Sequence, residues 1–281
     1  MSGMDGLHCV VTGASGGIGA AIAETLLRDG AAVTLVARES TRLDSTTARL
    51  QELGGATRVR AIGADLSVQA DVRRAFASLV ERPVDVLVLN AAFVPEARRL
   101  TIDGIEETLA VNHLAPFLLV QLARPHLKPG SRIVVVGADP TILAAQPVQI
   151  DDLQMQRNFS PTRAYMRTKN MSAMFTYALA RRLEGTGVTA NAAHPGIIRT
   201  QLARRATGLI KLALSLVGPV LPGPERGADT PAWLARAPEV SGVNGRFFVK
   251  RRAVTTAAHT RDVWRQEQLW RASAALVGVD A

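Results

Sequence analysis

With 281 residues, 47% of them hydrophobic and 20% charged, the chain can bury a sizeable core and is too apolar for a disordered or collagenous protein. Its single cysteine, Cys9, excludes an intramolecular disulfide; lying in an apolar run, it reads as strand packing in a protein of the reducing cytoplasm. The net charge of +9 comes from scattered positive residues, and with only 4% aromatics to stack on bases it points away from nucleic acid and fits an anionic cofactor.

Residues 1–6 are small and polar and no basic stretch leads into an apolar one, so no signal peptide is expected. Residues 208–222 form the longest apolar run, but it holds Lys211 and ends in prolines, so no membrane span is expected either. Short β-branched runs at 7–12, 32–37, 57–62, 84–90, 132–137 and 188–194 alternate with longer segments of helical apolar spacing. That alternation predicts an α/β fold: a doubly wound, Rossmann-type parallel sheet flanked by helices on both faces. No linker interrupts it, so residues 1–281 read as a single domain, with about 199–223 as an insertion near the active site.

The first strand runs into Thr12-Gly13-Ala14-Ser15-Gly16-Gly17-Ile18-Gly19, followed by a helical segment. A glycine-rich turn there lets the backbone approach a diphosphate and aims free N–H groups at it. The second strand ends at Arg38, where an NAD enzyme would carry an acid for the ribose 2′-hydroxyl. A guanidinium could instead fork onto a 2′-phosphate, which favours NADP(H); the alternative is a solvated Arg38 with Glu39 as the acid. Further on, Tyr165 and Lys169 stand four residues apart on a predicted helix, hence on one face. A nearby ammonium favours the phenolate, so Tyr165 could exchange a proton with a carbonyl or alcohol oxygen.

The glycine turn, Asp65-Leu66, Asn90-Ala91-Ala92, Val111-Asn112-His113-Leu114, Tyr165 to Lys169, and Gly187-Val188-Thr189 into His194-Pro195-Gly196 stand in the order of one family. The chain resembles the short-chain dehydrogenase/reductases, and within them the retinol-dehydrogenase-type branch, whose last strand Gly245-Arg246-Phe247-Phe248 resembles. The resemblance implies Gly13, Gly17, Ile18 and Gly19 at the diphosphate, Ser15 on the adenosine side, Asp65 and Leu66 at the adenine, and Asn90 and Ala91 at its ribose. It also implies Lys169 at the nicotinamide ribose and as the group that lowers the pKa of Tyr165. Pro195, Gly196, Ile198 and Thr200 would face the carboxamide, and Asn112 would support a water-linked proton relay to Lys169.

One departure stands out. Where the family has a Ser-Ser pair after the fifth strand, this chain has Gly137-Ala138, so the hydroxyl that would bond the substrate oxygen is missing. Losing such a donor costs on the order of 10² to 10³ in rate. Thr141 or a protonated Asp139 could replace it, the substrate could bring its own hydroxyl, or Tyr165 could serve elimination, isomerisation or cyclisation.

The apolar stretch 207–217 occupies the family's substrate lid, which with Phe93 and Val94 suggests a hydrophobic small-molecule substrate; a packed helix, or a membrane-surface contact through Arg204, Arg205 and Lys211, are the other readings. The five histidines have no metal-ligand spacing, so no metal is expected, and His194 reads as packing. The resemblance implies a homodimer or homotetramer through the helices carrying Asn112 and Tyr165. The expected activity is an NADP(H)-dependent oxidoreductase interconverting a carbonyl and an alcohol; the alternative is a non-redox biosynthetic enzyme using the same pocket.

Overall fold

The computed structural model describes residues 3–196 and 222–281. Ile198, Thr200 and all but the last two residues of the expected insertion at 199–223 therefore lie outside the described residues. Within them, β1 (His8–Thr12), β2 (Ala32–Ala37), β3 (Val59–Gly63), β4 (Val86–Leu89), β5 (Arg132–Val136) and β6 (Thr189–His194) form one sheet with β7 (Phe247–Val249) and β8 (Arg252–Val254). The order is β3-β2-β1-β4-β5-β6-β7-β8, parallel up to β7. Strands β1, β2, β4 and β6 are buried at every position, which is why they read as continuous apolar runs rather than alternating ones.

Alternate strand residues feed two cores. Cys9 and Val11 face one, with Ile22 and Leu26 of α1 (Gly17–Arg28), Leu43 and Leu50 of α2 (Thr41–Gly54), and Leu234. Val10, Leu87 and Val135 face the other, with Val72 and Leu79 of α3 (Gln69–Leu79), and with Phe117 and Phe175. Phe117 belongs to helix α4, residues 107–123, whose middle turn Ala110–Leu114 is π-helical. The short helix α5 (Pro140–Ala144) follows β5, and Phe175 belongs to α6 (Pro161–Arg182). Ser160 caps α6 through the Arg163 amide and Pro161 opens it, so the helix starts three residues before the expected Ala164.

Helices α7 (Pro224–Arg236), α8 (Ala258–Arg261) and α9 (Val263–Val277) complete the described chain. Two features escape the sequence pattern. Strand β8 turns back antiparallel on β7 through Lys250-Arg251, both at positive φ (49° and 61°). Such a two-residue turn usually announces itself with Asn-Gly; here Arg251 instead clamps Asp229 of α7. The second is α9, which lies across α4 and α6 and buries Trp270 against Phe117 and Phe175, with ring centroids 4.9 and 5.9 Å away. Helix α9 thus packs on the two helices through which the resemblance implies subunit contacts. No described helix is long and apolar enough to cross a membrane.

Candidate active site

The sheet order reverses between β1 and β4, and the strand ends on either side open a cleft of about 1090 Å³, as expected at a switch point of a doubly wound sheet. The glycine turn forms one rim. A Cβ on Gly13 would stand 2.8 Å from the Ala91 Cα, and one on Gly19 only 2.4 Å from the Gly13 carbonyl oxygen, so no larger residue fits either position. Asn90 and Ala91 are tied to this turn by Thr12, whose hydroxyl accepts from both their amides at 2.9 and 3.1 Å. Asn90 Nδ2 donates to the Thr12 carbonyl at 2.9 Å. Sequence reasoning missed Thr12; a buried hydroxyl ending the first strand is its only signal.

Of the expected nucleotide residues, Gly13, Ser15, Gly17, Ile18, Gly19, Arg38, Asp65, Leu66, Asn90, Ala91 and Pro195 all line the cleft. Asp65 turns one carboxylate oxygen onto the Ser67 amide at 2.9 Å and its own amide donates to Asp71 at 3.0 Å, fixing the loop after β3. Arg42, which the sequence reading did not single out, lines the cleft beside Arg38. It lies so close over the turn that a Cβ on Gly16 would meet its guanidinium. A signal was available: Arg38 stands two residues before the Ser40 cap of α2 and Arg42 two residues after it, in the first helical turn. Glu39 folds against Gly63, leaving no space there for a Cβ.

At the far end of the cleft α6 presents Tyr165 and Lys169. Lys169 is buried, its Nζ donating to the Val136 carbonyl at 2.9 Å and standing 5.7 Å from the Tyr165 ring centroid. Burial pushes the ammonium down to about 8 and the phenol up to about 12. The expectation that Lys169 draws the phenol down therefore meets a stronger opposing effect, and Tyr165 stands as a neutral phenol.

Asn112 sits in the π-helical turn, away from Lys169's nitrogen in its bonding. Its Oδ1 accepts from the Phe93 amide at 2.9 Å, and its Nδ2 donates to the Phe93 carbonyl at 3.0 Å and the Thr168 hydroxyl at 3.1 Å. The amide thus pins Phe93 into the cleft wall and α4 onto the helix of Tyr165; Phe93 lines the cleft as expected.

The loop after β5 carries no replacement serine. Gly137 lines the cleft, and Ala138 packs partly buried against the core beneath α6. Thr141 donates its hydroxyl, at 2.5 Å, to Asp139 Oδ1, which also accepts the Thr141 amide at 2.8 Å. The Thr141 hydroxyl is therefore committed to Asp139. Gly137 is set by Phe247, whose ring edge would lie 2.9 Å from a Cβ there. Gly137→Ser should therefore lower stability by about 1–3 kcal/mol through overpacking, whereas Ala138→Ser should move the urea midpoint little. Equal midpoints for the two variants would contradict this packing.

The model of the family described as short chain dehydrogenase matches residues 7–208. Retinol dehydrogenase 14 of Homo sapiens is 36% identical over 296 residues, covering 98% of this chain and 88% of the relative. Polyprenol dehydrogenase of Mus musculus is 34% identical over 285 residues, covering 97% and 84%. Among solved structures, a short chain dehydrogenase from Burkholderia cenocepacia J2315 in complex with NADP is 31% identical, with a TM-score of 0.70 over 88% of this chain and 96% of that one. The chain belongs to the short-chain dehydrogenase family and is similar to its retinol dehydrogenases.

Proposed function

We propose that the protein is an NADP(H)-dependent oxidoreductase that interconverts a carbonyl and an alcohol on a hydrophobic small molecule. The observation that carries this reading is one cleft holding the glycine turn, two arginines beside it, and a neutral phenol next to a buried lysine. Gly13 and Gly19, where a Cβ would collide, leave a cradle that fits a diphosphate, with Gly17, Ile18 and the start of α1 supplying N–H groups. Arg38 and Arg42 would take the 2′-phosphate, Ser15 the adenosine side, Asp65 and Leu66 the adenine, and Asn90 and Ala91 its ribose. Lys169 would hold the nicotinamide ribose, and Pro195, Gly196, Ile198 and Thr200 the carboxamide. The NADP complex of the Burkholderia relative and the names of the retinol and polyprenol dehydrogenases support this cofactor and a lipophilic substrate.

When bound, NADPH supplies the hydride. In the reductive direction Tyr165 gives its phenolic proton to the substrate oxygen. The Lys169 ammonium stabilises the phenolate that develops, and Asn112, through the π-helical turn, supports the path by which that proton returns.

Fluorescence titration of the purified protein tests the nucleotide site without knowledge of the substrate. NADPH should bind at least about 10²-fold more tightly than NADH, and Arg38→Ala and Arg42→Ala should each weaken NADPH about 10-fold or more with little effect on NADH. Equal affinities for the two nucleotides would overturn the 2′-phosphate assignment. Ala138 favours a second reading, redox-neutral elimination, isomerisation or cyclisation in the same cleft. Product formed with no change in nicotinamide absorbance would select it.

A further inference from the structure

A second cavity, of about 410 Å³, lies apart from the cleft and shares no lining residue with it. That volume falls within the range of small-molecule sites, about 300–1,000 Å³. It opens where the C-terminal half of α6 meets β7, β8 and the corner between α8 and α9. Arg181 comes from α6, Arg246 from the residue before β7, and Arg261 from the end of α8. Tyr177, Phe247 and Val254 supply much of the wall between them.

Each arginine is anchored beside this space. Arg181 bonds Gln266 and Glu267, the latter at 2.8 Å. Arg261 Nε donates to the Thr256 carbonyl at 3.0 Å, which leaves its two Nη groups for another acceptor. The Arg246 backbone is fixed from both sides, its amide donating to Asn191 Oδ1 at 3.0 Å and its carbonyl accepting from the Ala192 amide at 2.9 Å. Among the described residues, no ion pair includes Arg246 or Arg261. The neighbouring acids are engaged: Glu267 is divided between Arg181 and Arg182, and Asp262 caps α9 through the Arg265 amide. Burial raises the Tyr177 phenol, while its bond to Thr256 at 2.8 Å and the charges of Arg261 and Arg246 pull it down, so both cations bear on one hydroxyl. Against three positive groups the described lining holds a single carboxylate, that of Glu184.

We propose that this cavity binds a phosphate monoester, with the phosphate among Arg181, Arg246 and Arg261 and the organic group along Phe247 and Val254. Guanidiniums converging from three elements, with an excess of two positive charges, match a tetrahedral dianion; a flat carboxylate is satisfied by one guanidinium fork. The Phe247 ring stands between this site and the cleft, since its edge would lie 2.9 Å from a Cβ on Gly137. A soluble ester and the headgroup of phosphatidic acid present the same group. In the lipid case Val263 and Trp264, exposed at the start of α9 just beyond Arg261, would enter the membrane interface.

Calorimetric titration of the full chain with phenyl phosphate should show saturable binding with a Kd below about 1 mM. Arg246→Ala and Arg261→Ala should each weaken it about 10-fold or more, Arg246→Lys should keep part of the affinity, and Glu184→Gln should tighten binding. Arg38→Ala, which removes a guanidinium from the cleft, should leave this affinity within about twofold, and benzoate should bind at least about 10-fold more weakly than phenyl phosphate. Sedimentation with phosphatidic acid vesicles separates the two sources. Pelleting that Arg246→Ala and Trp264→Ala both abolish assigns the site to a lipid headgroup; a protein that stays in the supernatant while binding phenyl phosphate assigns it to a soluble ester. Absence of saturable binding to either probe, benzoate bound as tightly as phenyl phosphate, or binding that Arg38→Ala abolishes and Arg246→Ala and Arg261→Ala leave untouched would overturn the proposal.

Discussion

Tyr165→Phe should lower the rate of NADPH-dependent carbonyl reduction by about 10²–10⁴-fold while leaving NADPH affinity within about twofold. The asymmetry follows from what the hydroxyl does. The phenol ring, held by α6 and facing Lys169 Nζ at 5.7 Å, persists in the variant, so cleft shape and the lysine's bond to Val136 are kept. Only the proton donor is lost. Because burial raises the phenol to about 12, the proton is present across the working pH range, and its departure depends on the cation beside it. That cation is depressed to about 8, so it is present below that pH and lost as pH rises through it. The kcat of the unaltered protein should therefore fall on the alkaline side near pH 8, and a Lys169→Arg variant, if folded, should move that limb upward. A Tyr165→Phe protein that reduces a carbonyl at the unaltered rate would exclude Tyr165 as the acid, and stopped-flow measurement of nicotinamide oxidation reads this directly.

What the sequence showed of this site is uneven for physical reasons. Backbone-determined features were legible, because they demand particular residues at particular places. The glycine turn cannot be built with a Cβ at Gly13 or Gly19, and the Tyr165–Lys169 spacing is fixed by helix geometry. Fully buried parallel strands announce themselves as apolar runs, so β1 to β6 were recoverable. Features that depend on which side chains meet across the fold were not. Arg42 matters through its position over Gly16, and Thr12 through two amides some 80 residues away in sequence. Even the direction of the Tyr165 shift was unreadable, since a neighbouring ammonium lowers a phenol and burial raises it, and only the packed cleft decides between them. Strand β8 was hidden for a different reason: its turn uses Lys250-Arg251 at positive φ, against local preference, with Arg251 held by Asp229.

Trp270→Ala should cost about 3–5 kcal/mol of stability, the largest effect expected from any single substitution outside the cleft. Trp270 is 1% exposed and is the largest fully buried side chain among the described residues. Its indole stacks on Phe175, meets Phe117 edge-on, and carries the Arg182 guanidinium 3.9 Å from its centroid. Arg182 and Arg181 both bind Glu267 one turn earlier in α9, holding that carboxyl down at about 2. His113 bonds Ser273 at 2.7 Å from the same face of α4, and burial drives the imidazole down to about 3, so it stays neutral there. These contacts pack α9 on α4 and α6, the helices through which the family resemblance implies subunit contacts. Two outcomes follow together. The unaltered protein should sediment without a dimer built on α4 and α6, and Trp270→Ala should both lower the urea midpoint and, by loosening α9, expose Phe117 and Phe175 and promote self-association. Sedimentation velocity at increasing concentration, with urea titration of the same samples, reads both. A dimer whose cross-links join α4 or α6 of two copies in the unaltered protein would show that α9 leaves that face in solution.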